Sequence, residues 1–424
     1  MIRLASSDFP DILEDFLAIS RRRQTNPTAL SRLQIHMIEE LLLQEGAVKH
    51  YRKTLKDLGS DEDTEQKEDT DKEDKNEEVK FYQKELFFHR MYANAIRGIG
   101  DGLAWRALGY DRAVMRLMGE RETKQHLSAE GTVEELREWS YHFETGSGVA
   151  ILNALTNCLA FGDVTVVRND GSAEIVEVKA NKTKSSRKIR QKHAMNEVVT
   201  LLSTGEGKNE NRDVRIEILP ITPETSLNKV EELLDRAGEQ GWAARRISDC
   251  LYVEAFDFRK MKGVVDWKEF TTKVRQSVIG PWEDQGDFVF DMSTLETIGY
   301  TPNCAPLSVF PFRARTCVDL LIGAKFYVAY QNVNAIAREF EKRGWLIQKD
   351  TKTLMEEKST EALLRVSKGP FHCTVPPAEF MRMQIETLRP KTLIDAMEFK
   401  LRQGPEGGDG YMLAVYDGEP KIWN

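Results

Sequence analysis

The chain has 424 residues, of which 41% are hydrophobic and 30% are charged. This length suits two or three domains, and the composition is ordinary for a soluble globular protein. No apolar run approaches the roughly 18 residues of a membrane span, and an acid appears by Asp8, so neither a membrane helix nor a secretory signal is expected.

The cysteines also limit the classes of protein to which the chain can belong. They are odd in number and widely spaced, with no C-x-x-C pair: Cys158, Cys250, Cys304, Cys317 and Cys373. This pattern indicates a reducing, cytoplasmic setting, and it argues against a disulfide framework or a structural zinc site.

The negative charge is concentrated in one segment. Residues 59–79, GSDEDTEQKEDTDKEDKNEEV, hold eleven acids and three lysines, a net charge of −8 that equals that of the whole chain. The remaining chain is balanced, so the pI of about 5.6 does not exclude nucleic-acid binding by one face. The segment is predicted to be a solvated, disordered linker, with a nucleic-acid mimic as the alternative.

In chain order, residues 1–57 are predicted to be helical, with Pro27 suited to a helix start. Helical periodicity resumes after the acidic segment, and further helices are predicted over 133–145 and 148–161. A β-hairpin follows, in which DVTVV and EIVEVKA are joined by a turn that contains Asn169, Asp170 and Gly171. A helix over 185–202 and the strand VRIEILPI (214–221) come next.

In the C-terminal half, the sequence predicts alternating helices and strands. It contains no catalytic motif. Helices are expected over 225–239, 333–343 and 376–388, and strands over 248–256, 317–330, 344–350 and 411–417. The predicted fold class is therefore α/β or α+β. The predicted regions are a helical N-terminus (1–57), the acidic linker (58–79), a domain with its upstream helices (80–222), and a C-terminal α/β region (223–424).

Several common enzyme motifs are absent from the sequence. There is no G-x4-G-K-[ST] phosphate loop and no G-x-S-x-G elbow, which disfavours an ATP motor and a serine hydrolase. The glycines of GIGDGLAW (98–105) do not match G-x-G-x-x-G and follow a helical stretch, so a dinucleotide site is not expected either.

The hairpin carries the most informative side chains. Asp163 begins one strand, and Glu177 and Lys179 are two residues apart on the next, so they are expected on one face, with Val176 and Val178 toward a core. Two adjacent carboxylates repel one another unless a cation lies between them, and hard oxygen ligands suit Mg²⁺ or Mn²⁺. A neighbouring lysine stabilises developing phosphate charge or helps to deprotonate water.

A basic run follows the hairpin directly. The segment ANKTKSSRKIRQK (180–192) contains six basic residues and no acid: Lys182, Lys184, Arg187, Lys188, Arg190 and Lys192. Such a run is suited to binding a phosphate backbone, although a solvated helix start is the alternative.

Asp163, a spacer with a turn, and Glu177-Val178-Lys179 resemble the motif of the PD-(D/E)XK nuclease superfamily. The resemblance implies a restriction-endonuclease-like mixed sheet flanked by helices, with its core around residues 133–220. It implies that Asp163 and Glu177 bind Mg²⁺ or Mn²⁺ and that Lys179 positions or activates water. It also implies that Glu144 is the acid lent by the first helix and that Gln191 orients water or the lysine. Gly162 departs from the family's proline.

The sequence thus predicts a metal-dependent nuclease, with DNA favoured over RNA as its substrate, and the architecture suggests a cytoplasmic defence or restriction effector. Self-association or a partner protein is expected through the N-terminal helices or the C-terminal region. Two alternatives from other classes stay open. One is a catalytically silent nuclease fold that binds nucleic acid or serves as an assembly subunit, and the other is a scaffold organised by the N-terminal helices. The charge alternation is also typical of a half-exposed hairpin that has no function.

Overall fold

The structure is a computed structural model that describes residues 9–22, 27–59, 69–119, 127, 132–146, 148–169, 172–178, 200, 204–209, 212–261, 272–273, 276, 279–281, 289–297, 304–349, 364–375, 377–403 and 411–416. This part of the chain is a mixed α+β structure, in agreement with the coarse fold prediction. The chain divides into two compact units, the first formed by Met1–Leu108 and Met118–Val199 and the second by Gly109–Leu117 and Thr200–Asn424.

Among the described residues, five helices come first and five strands follow them, and helices and strands are mixed in the C-terminal half. The helices are α1 (Phe9–Ser20), α2 (Pro27–Gly59), α3 (Asp69–Ala107), α4 (Arg112–Gly119), α5 (Thr132–Glu144), α6 (Leu227–Gln240), α7 (Ala314–Leu321), α8 (Val333–Glu341), α9 (Pro377–Ile385) and α10 (Pro390–Gln403). The strands are β1 (Val149–Leu152), β2 (Val164–Val167), β3 (Ala173–Val176), β4 (Glu206–Asn209), β5 (Arg212–Leu219), β6 (Trp242–Ser248), β7 (Leu251–Asp257), β8 (Val289–Ser293), β9 (Lys325–Asn332), β10 (Leu346–Lys349), β11 (Leu364–Lys368), β12 (Phe371–Val375) and β13 (Tyr411–Tyr416).

Two long helices, α2 and α3, pack against each other in the first unit. α2 begins at Pro27, as the sequence predicts. α3 begins at Asp69, so residues 69–79 of the predicted disordered linker are helical, and residues 60–68 lie outside the described residues. Glu and Lys are good helix formers, and pairs of them three or four residues apart stabilise a helix, as Glu77 and Lys80 do at 2.7 Å.

The first unit contains a three-stranded antiparallel sheet in the order β1-β2-β3. The predicted hairpin is confirmed, with Val164 opposite Val176 and Val167 opposite Ala173. The predicted helix over 148–161 is wrong, because β1 pairs with β2 and a 3-10 turn (Asn153–Leu155) follows. A short apolar run such as VAIL does not distinguish a strand from a buried helix, and pairing with β2 decides the outcome here.

The second unit contains the other described sheets. β6-β7-β9-β8 and β10-β11-β12 are antiparallel, whereas β5 pairs with β4 antiparallel and with β13 parallel. β5, which the sequence prediction placed in the nuclease core, therefore belongs to the second unit. The predicted strand over 317–330 is instead the end of α7 followed by β9. Among the described residues, no helix is long and apolar enough to cross a membrane.

Candidate active site

Asp163 lies immediately before β2, and hydrogen bonds to the chain on both sides of it fix its backbone. Its backbone N–H donates to the Val176 carbonyl at 2.8 Å, and its own carbonyl accepts from the Asn153 N–H at 3.0 Å. Its carboxylate Oδ2 accepts from the Val178 N–H at 2.6 Å. Because β3 ends at Val176, this side-chain bond continues the pairing of the hairpin and brings residues 177 and 178 beside Asp163.

Glu177 is the nearest acidic neighbour of Asp163 across the hairpin. Val164 pairs with Val176, so the next position outward on each strand is Asp163 and Glu177. Burial raises the pKa of Asp163, the Val178 N–H bond lowers it, and the Glu177 charge raises it further. The net result is a raised pKa, which means that the site disfavours the ionised carboxylate in the absence of a cation.

The strand that follows Asp163, β2, is buried on both of its faces, and one of them is the face that carries the acids. Thr165 and Ile175 alternate onto the same side as Asp163 and Glu177, and both are buried. Val176 and Val178, which the sequence argument placed toward a core, are only half-buried. The two carboxylates therefore lie at the edge of a packed surface, and this explains why burial dominates the pKa of Asp163.

A third carboxylate comes from α5. Glu135 is half-buried, and its pKa is raised to about 7, first by burial and then by the charges of Asp163 and Glu134. α5 is fixed against the sheet by Trp139, whose Nε1–H donates to the Ala150 carbonyl of β1 at 3.2 Å. Asp163 thus interacts electrostatically with two other half-buried acids, Glu135 and Glu177, and these three residues are here called the acid cluster.

Glu144, the predicted helical acid, is not part of this cluster. It is exposed at the end of α5, where its carboxylate accepts from the Ser140 hydroxyl at 3.0 Å. It follows Glu135 by nine residues, and at about 100° per residue this places it on the opposite side of the helix. The acid that α5 brings to Asp163 is therefore Glu135.

The sequence gives little reason to select Glu135. Thr132-x-x-Glu135 has the spacing of a capping box, and acids in the first turn are favoured by the helix dipole. Both explanations account for Glu135 without a function. The sequence offers one indication that Glu135 faces the sheet. Glu135 lies one turn before Trp139, which contacts β1, and so it is on the same side of α5.

The turn at Gly162 is built for glycine and not for the proline that the resemblance implies at this position. Its φ is +66°, and an added Cβ would lie 2.5 Å from Ile175 Cγ2 and 2.9 Å from the Val176 carbonyl oxygen. Proline is restricted to a φ near −65°, so it does not fit this turn. The chain therefore reaches Asp163 through a backbone conformation that only glycine adopts readily.

Other predicted residues lie outside the described part of the chain. These are Lys179, Gln191 and the six basic residues Lys182, Lys184, Arg187, Lys188, Arg190 and Lys192. Of the described residues, no basic side chain forms an ion pair with a member of the acid cluster.

The donor chemistry of the cluster fits a hard divalent cation. Within the described ranges, no three His, Cys, Asp or Glu side chains are close enough to hold a metal ion by themselves. Mg²⁺ does not require such a set, because it is usually bound by one or two carboxylates, with water and substrate phosphate as the remaining ligands. Asp163 and Glu177 supply the two carboxylates, and Glu135 is a third within electrostatic range.

No protein-family model matches the chain, and no curated protein or solved structure shows significant similarity to it.

Proposed function

We propose that the chain is a metal-dependent nuclease that hydrolyses phosphodiester bonds at the acid cluster, with DNA as its substrate. The electrostatic surroundings of Asp163 support this proposal most strongly. The half-buried Asp163 interacts electrostatically with two other acids, Glu135 and Glu177, and among the described residues none of the three has a basic partner. Acids are rarely packed together in this way unless a cation is bound or a proton is shared.

In this proposal, Asp163 and Glu177 hold Mg²⁺ or Mn²⁺, and Glu135 adds negative charge beside them. When bound, such an ion would supply a water of lowered pKa and would neutralise charge on the phosphate. Lys179 follows Glu177 by two residues and positions the attacking water. The basic residues from Lys182 to Lys192 bind the phosphate backbone and keep the substrate beside the cluster.

Glu177→Gln tests the proposal at the cluster. The exchange keeps the shape of the side chain but removes a metal-binding charge, and the cleavage rate is expected to fall by about 100-fold or more. Glu174→Gln is the matched control, because Glu174 is an exposed acid on the same hairpin that pairs with Arg168. Equal cleavage by both variants would contradict the proposed site.

One observation favours a second candidate, a nuclease fold that binds nucleic acid or assembles with a partner without cleaving. The acid cluster does not form a closed three-residue metal site within the described part of the chain. A fluorescence-anisotropy titration with duplex DNA distinguishes the two functions. Salt-dependent binding without cleavage in Mg²⁺ or Mn²⁺ supports the silent binder. Cleavage that EDTA abolishes supports the enzyme.

A role in defence against phage is proposed from the architecture, in which the nuclease region is flanked by large regions on both sides. Those regions are proposed to sense, recruit or oligomerise. Wild-type protein that protects cells from phage, while Glu177→Gln does not, would support this role.

A further inference from the structure

Asn153 is a fully buried polar residue next to the acid cluster. It follows β1 directly and begins the 3-10 turn, and only 1% of its surface is exposed. A buried amide is costly unless its donors and its acceptor are all paired. The hydrogen-bond partners of the Asn153 amide therefore indicate which part of the chain this side chain holds in place.

The side chain of Asn153 holds the turn that leads into Asp163. Its Nδ2 donates to the Phe161 carbonyl at 2.7 Å and to the Gly162 carbonyl at 3.2 Å. Its Oδ1 accepts from the Thr165 hydroxyl at 2.9 Å. The amide thus connects the residues on both sides of Asp163 in the sequence.

The backbone of Asn153 completes this support. Its N–H donates to the Asp163 carbonyl at 3.0 Å, and its carbonyl accepts from the Thr156 N–H at 2.9 Å. On the opposite side, Asp163 is bonded to Val176 and Val178. The position of the Asp163 carboxylate is therefore set by two supports, the end of β3 and the side chain and backbone of Asn153.

No uncharged side chain other than an amide combines two N–H donors with a carbonyl acceptor. An aspartate of the same size would place an oxygen against the carbonyls of Phe161 and Gly162, where no donor remains for it. The requirement at this position is thus for an amide, and not merely for a small polar group.

We infer that Asn153, assisted by the Thr165 hydroxyl, is a positioning residue that orients Asp163 for metal binding. The inference rests on the proposed function, because it assumes that Asp163 is a metal ligand. Asn153 itself touches neither metal nor substrate. Groups that orient metal ligands in this way typically change metal affinity or activity by about 10–100-fold when they are replaced.

The test compares Mn²⁺ binding, measured by isothermal titration calorimetry on the full chain, with the Mn²⁺ dependence of DNA cleavage. Asn153→Asp is expected to weaken Mn²⁺ binding by about 10–100-fold and to raise the half-saturating Mn²⁺ concentration for cleavage in parallel. Thr165→Val, which removes only the hydroxyl donor, is expected to shift both values less and in the same direction. Thr165→Ser keeps the hydroxyl and is expected to restore them.

Asn157→Ala is the matched control for a loss of stability alone. Asn157 lies in the same loop, but its Nδ2 donates to Asp101 of α3 at 2.9 Å instead of to the turn before Asp163. It is expected to lower the melting temperature and to leave Mn²⁺ affinity unchanged.

Folded Asn153→Asp and Thr165→Val variants with wild-type Mn²⁺ affinity would overturn the inference and leave the proposed function intact. If Asn153→Asp does not fold, equal affinity in Thr165→Val and Thr165→Ser overturns it. A wild type that neither binds Mn²⁺ nor cleaves DNA overturns the proposed function, and the inference with it.

Discussion

At the scale of single residues, the acid cluster is held together against electrostatic repulsion. Burial and the neighbouring acids raise the pKa of Glu135 to about 7 and raise the pKa of Asp163. A bound cation would reverse this balance, because it favours the ionised carboxylates. The cluster is therefore unfavourable for the metal-free chain and favourable for a metal-bound one.

Glu135→Gln is expected to make the stability of the folded chain less sensitive to pH. The ordinary pKa of this carboxyl is 4.5 and its folded value is about 7. Between these values the folded chain binds more protons than the unfolded chain, so stability falls as the pH rises. The melting temperature of the variant, measured in EDTA, should rise relative to wild type as the pH increases from 4.5 to 7 and keep that advantage at pH 8.

The control for this measurement is Glu144→Gln, at the exposed position on the opposite side of α5. It is expected to follow the wild-type curve. A Glu135→Gln curve parallel to that of the wild type would show that Glu135 does not titrate as described.

At the scale of elements, the hairpin β2–β3 was predictable and its neighbours were not. The turn residues Asn169 to Gly171 between alternating strands are a strong local signal, and the paired register agrees with it. β1 has no such signal, because VAIL is uniformly apolar and becomes a strand only through its pairing with β2. Glu135 was equally hidden, because its proximity to Asp163 depends on how α5 packs and not on local sequence.

Gly162→Ala is expected to destabilise the hairpin by more than backbone strain alone. A left-handed conformation costs a residue with a Cβ about 1–2 kcal/mol, and here the Cβ also meets Ile175 and the Val176 carbonyl. Gly146→Ala is the matched control, because Gly146 has a φ of +63° with nothing within 4 Å of an added Cβ. Urea denaturation should show a larger loss for Gly162→Ala. Equal losses would mean that the close contacts relax without cost.

At the scale of the whole molecule, the chain does not divide into consecutive domains. Residues 109–117 belong to the second unit, although the chain on both sides of them belongs to the first. Within the second unit, Arg112 Nη2 lies 2.8 Å from Glu386 Oε1, and Arg382 Nε donates to Glu386 Oε2 at 3.1 Å. The linear boundaries predicted from composition miss this arrangement, because Arg112 and Glu386 are 274 residues apart.

Glu386→Ala is expected to destabilise the second unit by about 3–5 kcal/mol, because it removes the buried carboxylate that two buried guanidinium groups share. Glu386 is fully buried and also accepts from the Ala305 N–H at 2.7 Å. Glu379→Ala is the control, since Glu379 is partly exposed and lies 3.8 Å from Arg382. A urea midpoint for Glu386→Ala equal to that of the control would show that the buried pair contributes little.

Metal-dependent hydrolysis at the acid cluster is tested most directly by cleavage assays on plasmid, linear duplex DNA, single-stranded DNA and RNA in Mg²⁺, Mn²⁺ and EDTA. Wild type is compared with Asp163→Asn and Lys179→Ala. Wild type is expected to cleave DNA in either metal, EDTA is expected to abolish cleavage, and both variants are expected to be strongly impaired. Undiminished cleavage by Asp163→Asn, or no cleavage by wild type in either metal, would contradict the proposed function.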